Sequence, residues 1–223
     1  MFGWILAAFL AAPAPSPLEM ARNQQDRAAL EKFAAEAGGA ASKATNDSEA
    51  QYRSALAYCY LAEVDIELHD RKAGRAAAEQ GIKAAEKSVA MKPDNAEYYR
   101  VLGTLYGQAI TDIMSGLSYG PKAKDAINKA VEKAPKSPAM YVARGVGTYY
   151  LPAQLGGGAK LAIPDFQKAI ELDPKNAEAY LWLGLSLRKE NRDPEARAAF
   201  AKSLELNPSR LWAKQQLDKT PAK

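Results

Sequence analysis

Apolar residues recur along this chain at intervals of three and four, the period of one buried helix face, with charged and polar residues between them. Leu30, Phe33 and Ala37 keep that spacing and predict an N-terminal helix starting at Leu18, within a segment 18–45. Ser48-Glu-Ala-Gln-Tyr52-Arg-Ser-Ala-Leu-Ala-Tyr58 predicts a second helix, and Arg71 to Met91, ending at Pro93, its partner. At the far end Leu211, Trp212, Gln215 and Leu217 fall on a short final helix over 209–219, whose Lys and Gln residues solvate an exposed end. The other end is different in kind. Phe2 to Ala12 is an uncharged apolar run, followed by Pro13-Ala14-Pro15-Ser16-Pro17. As a helix it covers ~16 Å, about half of a hydrocarbon core, so a full membrane span is not expected.

The middle of the chain repeats itself. Asn176-Ala-Glu-Ala-Tyr180-Leu-Trp-Leu-Gly184 aligns with Asn95-Ala-Glu-Tyr-Tyr99-Arg-Val-Leu-Gly103 and with Ser137-Pro-Ala-Met-Tyr141-Val-Ala-Arg-Gly145. Each is followed by a second helix with a similar closing phrase: Ala130-Val-Glu-Lys-Ala-Pro135, Ala169-Ile-Glu-Leu-Asp-Pro174 and Ser203-Leu-Glu-Leu-Asn-Pro208. A residue before proline is pushed out of the helical region, which explains why the helices stop there. Pro174 and Pro208 lie 34 positions apart.

This pattern resembles the tetratricopeptide repeat, a helix–turn–helix unit of that period. In the last unit Tyr180 takes the large aromatic position, Leu183-Gly184 the Leu-Gly pair, Ala196 the small residue of the second helix, Phe200 its aromatic and Pro208 the terminator. Gly184 and Ala196 would let two helices approach, with Tyr180 and Phe200 filling the space on either side. The earlier units are longer. Gly103 and Gly145 are 42 positions apart, with the extra residues expected as an inserted loop around Met114–Pro121. Gly145 and Gly184 are 39 apart, with the excess in Leu151–Gly158. The expected organisation is a leader or anchor with a Pro-rich linker (1–17), then a helical repeat domain (18–219). Within that domain follow the N-terminal helix (18–45), a divergent hairpin (47–93), three repeat units (95–135, 137–174, 176–208) and a capping helix (209–219). The fold class is all-α, a right-handed helical-hairpin solenoid with capping helices at both ends. Stacked hairpins of this kind bury faces that none can bury alone, and they create a concave surface.

Composition narrows the function. Thirty Lys+Arg against 26 Asp+Glu gives only +4, with the signs interspersed, so no nucleic-acid partner is expected. One cysteine excludes an intrachain disulfide and a multi-Cys metal site, and one histidine removes most metal and acid–base chemistry. No enzyme activity, cofactor or metal is expected. Gly156-Gly-Gly-Ala-Lys160 lacks the Gly-Lys-Ser/Thr ending of a phosphate loop and reads as a flexible turn. Glu63, Asp65, Glu67, His69 and Asp70 read as a solvated helix end rather than a ligand set. Cys59, between Tyr58 and Tyr60, reads as a small packed hydrophobe.

Tyr99, Tyr141 and Tyr180 fall on packing positions of the resemblance. Tyr149 and Tyr150 lie one turn further along, where the family's first helices line the concave groove. The same carry-over puts Arg53, Tyr60, Arg100, Gln108, Arg188 and Lys189 in that groove. Tyrosine and arginine on a rigid helical face suit recognition of a polypeptide. The asparagine that some relatives use to clamp a carboxylate is replaced here by Ala57, Thr104, Val146 and Leu185, so that mode of binding is not expected.

The expected function is therefore a protein–protein interaction scaffold of the cell envelope that binds a peptide or partner protein on its concave face. Two alternatives stand beside it. One is a structural accessory subunit of a membrane or extracellular complex, held through residues 2–12. The other is an exported, small-ligand-binding helical-repeat component of a transporter. Ala12-Pro13-Ala14 offers small residues at the spacing of a signal-peptide cleavage site. Against export stand the lack of a basic residue before the run and the prolines at every nearby cut. A retained apolar tail would instead make the protein membrane-associated.

Overall fold

The computed structural model of the chain describes residues 15–222. The leader, apart from its last residues, lies outside them. Eleven α-helices are described: α1 (Pro17–Asn23), α2 (Arg27–Lys43), α3 (Ser48–Glu67), α4 (Arg71–Met91), α5 (Ala96–Gln108), α6 (Ile113–Lys133), α7 (Pro138–Tyr150), α8 (Ala159–Leu172), α9 (Ala177–Lys189), α10 (Asp193–Leu206) and α11 (Leu211–Asp218). A 3-10 turn at Ala153–Leu155 sits between α7 and α8. There is no strand among the described residues.

Local chemistry explains the punctuation. The side chains of Asp26, Asp47, Asp70, Asn95, Asp112 and Asn176 each accept a hydrogen bond from a backbone N–H in the first turn of the helix that follows. At the other ends, α4, α6, α8 and α10 stop two residues before Pro93, Pro135, Pro174 and Pro208, and the residue just before each proline has left the helical region.

Each helix packs on the next, so α3–α4, α5–α6, α7–α8 and α9–α10 form four hairpins. The first helices also pack on one another in order, α3 on α5, α5 on α7 and α7 on α9. This is an all-α helical-hairpin solenoid whose inner wall is that row of first helices. One glycine per repeat makes the hairpins close. A Cβ added to Gly103 would lie 2.7 Å from Ile127, one on Gly145 2.5 Å from Phe166, and one on Gly184 2.6 Å from Phe200. The tight approach at Gly184 is thus to the buried Phe200 ring, not to a helix backbone. Apolar burial divides into two clusters. One joins residues of α1 to α6 around Leu30, Val64, Val101 and Leu105; the other joins α7 to α11 around Phe166, Leu181, Trp182 and Phe200.

Three expectations need correction. The N-terminal helix is two helices, α1 and α2, because the chain turns through Gln25 in the left-handed region at φ 54°. No glycine or proline marks that break. The excess residues at Met114–Pro121 are not a loop but the first turns of α6, anchored by a reciprocal cap between Asp112 and Ser115. Pro121 is tolerated there because the turn before it is open to solvent, with Ile113, Met114 and Leu117 69–82% exposed, so the carbonyl that proline cannot bond is not sealed in the core. The acidic end of α3 is not solvated either. Asp65 and Glu67 are buried and paired with arginines from other elements.

Candidate functional site

The inner wall carries its polar chemistry at the point where the two ends of the solenoid meet. Glu63 and Glu67 lie one turn apart near the end of α3. Glu178 lies in the first turn of α9. Two arginines join them. Arg22 of α1 donates from Nε to Glu63 (3.0 Å) and from Nη1 to Glu178 (3.0 Å), while its Nη2 lies 2.5 Å from Glu63 and 2.8 Å from Glu178. Arg210, just before α11 and fully buried, donates from Nε to Glu178 (3.0 Å) and from Nη2 to Glu63 (2.8 Å), and holds both oxygens of Glu67. The partners are up to 156 positions apart in sequence.

Since α3 and α9 stand at opposite ends of the row of first helices, a side chain bonded to both lies across the concavity. That residue belongs to α1, so α1 rests on the inner wall. Its other contacts agree. The Arg22 guanidinium stands 5.3 Å from the centre of the Tyr60 ring on α3. The Asn23 amide reaches Ser209, Gln25 donates to Glu67 (2.8 Å), and Gln215 of α11 donates to Gln25 (2.9 Å).

Burial and charge pull the carboxyls in opposite directions. Burial raises the pKa of Glu178, but the adjacent Arg22 and Arg210 outweigh it and hold the group well below the carboxylate range. Burial dominates at Glu67 and pushes it up, against the attraction of Arg210 and with repulsion from Glu63. Three carboxylates face two guanidiniums in this cluster, so raised proton affinity at one carboxyl relieves the surplus negative charge. Burial likewise pushes the Tyr60 hydroxyl and the Cys59 thiol each up to about 12, which leaves that thiol protonated and unreactive.

The groove residues expected from sequence fall into two groups, one on α3 and α5 and one on α7 and α9. On α3 and α5, Tyr60 lies under Arg22. Arg100 is largely buried and bonded to Glu97 through two N–H groups (2.7 and 2.6 Å). Gln108 donates to the Cys59 carbonyl (3.1 Å), while its own carbonyl oxygen is buried without a partner. Arg53, 73% exposed, pairs only with Glu49 on its own helix. On α7 and α9, Tyr149 and Tyr150 meet edge to face, and both meet Trp182, which in turn meets Trp212 of α11. Lys189 stands 4.6 Å above the Tyr149 ring. Tyr150 is 54% exposed, and burial of its hydroxyl pushes its pKa up to about 12. Arg188 has another task. Its guanidinium holds Gln216 and Thr220, fastening α11, and its charge also reaches the Tyr149 hydroxyl.

Sequence reasoning missed Arg22, Glu63, Glu178 and Arg210. The only signal is the acidic stretch of α3, and its charges do not all share one face of that helix. No described helix is long and apolar enough to cross a membrane.

Comparison with known proteins agrees with this architecture. Residues 156–210 match the family model described as tetratricopeptide repeat. A curated relative, small glutamine-rich tetratricopeptide repeat-containing protein 2 of Mycosarcoma maydis, is 35% identical over 104 residues, which are 47% of this chain but only 28% of that protein. Among solved structures, a thermophilic TPR protein of Thermus thermophilus superposes with a TM-score of 0.65 at 21% identity, over 91% of this chain and 95% of the other. The haemophore HusA of Porphyromonas gingivalis superposes with a TM-score of 0.57 at 18% identity, over 78% and 95%. At such identities the two structures speak for the fold alone.

Proposed function

We propose, from the premise that this chain is a tetratricopeptide repeat protein, that it is a non-catalytic scaffold that binds a polypeptide segment on the inner wall formed by α3, α5, α7 and α9. Repeats of this kind mediate protein–protein interaction in general. The observation that carries the finer reading is the seat of α1. A short helical segment already lies on this wall, held by side-chain contacts to Tyr60, Glu63 and Glu178 rather than by an extensive apolar core. Beside it Tyr150 offers a half-exposed ring at the mouth of an aromatic cluster, the kind of group that anchors a bound peptide at low entropic cost. The apolar run Phe2–Ala12 supports a location in the cell envelope, either after export or at a membrane-bound complex.

The test is affinity capture of the native partner with parent and variant chains. Tyr150→Ala should weaken capture about fivefold or more, as expected for a residue worth over ~1 kcal/mol, without loss of fold because the ring is exposed. Arg100 is a poorer probe, since it is buried against Glu97. Unchanged capture by Tyr150→Ala, with loss of capture on deleting Gly156–Gly158 or on placing lysine at Met114, would move the interface to the exposed edge.

A further inference from the structure

We propose that α1 is a built-in occupant of the concave face, and that the partner displaces it by placing an arginine of its own between Glu63 and Glu178. This deepens the reading of the inner wall as a polypeptide-binding surface and rests on it.

The seat is specific for arginine. Arg22 directs Nε and Nη2 to Glu63 and Nη1 to Glu178, so it spans two carboxylates from helices at opposite ends of the row. A planar group with several fixed donors does this, whereas a single ammonium cannot face both acids in the same way. The guanidinium also covers the Tyr60 ring, a cation–π contact that favours the same group. Departure of Arg22 would leave three carboxylates with Arg210 alone. Buried carboxylates stripped of a partner are strongly destabilised, so whatever replaces α1 must bring a cation.

The segment is also built to leave. Of its seven residues only Ala21 and Asn23 are buried, one small and one polar. It is joined to α2 through Gln24–Asp26, a turn that carries Gln25 at φ 54°, where a residue with a Cβ is strained. Release of α1 lets that residue relax. Few buried apolar groups, a polar grip and a strained hinge place α1 at the low end of the local stability range. Tethered so closely, α1 sits at its seat with an effective concentration in the ~mM range, which a weak or arginine-free peptide cannot overcome.

The experiment has two arms, both on the full chain. In the first, native-state hydrogen exchange follows the amides of Met20 and Gln24, which are bonded to Ser16 and Met20. They should exchange at least ~100-fold faster than the buried amides of α3, because α1 opens on its own. Equal protection would mean that α1 leaves only on global unfolding, and would overturn the proposal without any variant. In the second arm, the probe is a labelled peptide with the sequence of residues 15–26. Arg22→Glu in the chain repels its own α1 from Glu63 and Glu178. That variant should bind the peptide at least ~10-fold more tightly than the parent does, and should not bind the same peptide carrying glutamate in place of its arginine. A folded R22E chain that ignores both peptides up to ~1 mM, or binds them equally, would sink the idea of an arginine seat. Should these arms fail while Tyr150→Ala still weakens capture, the groove reading stands and only the exchange mechanism falls. Should the arms succeed while Tyr150→Ala has no effect on capture, the arginine seat stands and Tyr150 is no part of the binding wall.

Discussion

A glycine pair on neighbouring repeats gives a test in which the same substitution has opposite signs. At Gly184 a new Cβ would lie 2.6, 2.7 and 2.9 Å from three atoms of the Phe200 ring. Ordinary contact is 3.4–4 Å, so the overlap is close to an ångström, and Phe200 is fully buried and has nowhere to go. Overpacking of this kind costs about 1–3 kcal/mol. Against it stands the better helix propensity of alanine, about 1 kcal/mol. The net for Gly184→Ala is a loss of up to about 2 kcal/mol. Gly147 lies in the interior of α7, exposed, with nothing within 4 Å of a new Cβ. Only propensity acts there, and Gly147→Ala should gain about 0.5–1 kcal/mol. The two alanines should thus differ by about 1–3 kcal/mol, or ~2–12 °C in Tm for a chain of this size. Thermal melts by circular dichroism read the difference directly. Phe200→Leu in the Gly184→Ala background should recover at least ~1 kcal/mol of coupling, because it removes the ring the methyl meets. Equal melting temperatures for the two alanine variants, or a double variant that is simply additive, would show that the hairpin does not close on Phe200.

Two further outcomes concern the cluster that joins the ends. Because Glu67 holds its proton more tightly in the folded than in the unfolded chain, its contribution weakens the fold as pH rises from the carboxylate range, about 4.3, toward neutrality; Glu67→Gln should flatten that part of the stability–pH profile and raise Tm at pH 8, and a steeper profile would be inconsistent with burial as the dominant cause. Arg210→Ala leaves three buried or half-buried carboxylates with one arginine and should cost about 3–5 kcal/mol in urea melts, whereas a loss under ~1 kcal/mol would mean that the cluster is open to water.

Local order and repeat register could be read from the residues because their causes are local. Asp or Asn ahead of a helix, proline after it, and a glycine at each Leu-Gly or equivalent step act within a few positions, and the helices of the last two units follow these signals. Where a cause is not local, the reading failed. Nothing near Gln25 announces a left-handed residue; the turn exists because α1 has a seat to reach. Gly116, Gly120 and Pro121 look like a loop, but the reciprocal cap at Asp112 and the open solvent around Leu117 let a helix run through them. The charge cluster was invisible for a third reason. Glu63, Glu178 and Arg210 come together only through the summed curvature of four hairpins, and no pairwise spacing in the sequence encodes that sum. Repeat register placed Tyr149 and Tyr150 at the end of α7, but it gave no sign that Arg188, in similar register, would fasten α11.

The long reach of Arg210 also orders events during synthesis. Each hairpin contacts mainly its neighbours, so the repeats can form one after another as they leave the ribosome, with low contact order and little delay. The clasp is the exception. Glu63 and Glu67 are made early, and Glu178 and Arg210 follow more than a hundred residues later. Until then Glu67 on α3 lacks its arginine, and α1 has only the Glu63 half of its grip. Completion of the C-terminal unit is therefore what fully seats α1, so a segment made before every repeat is among the last to settle.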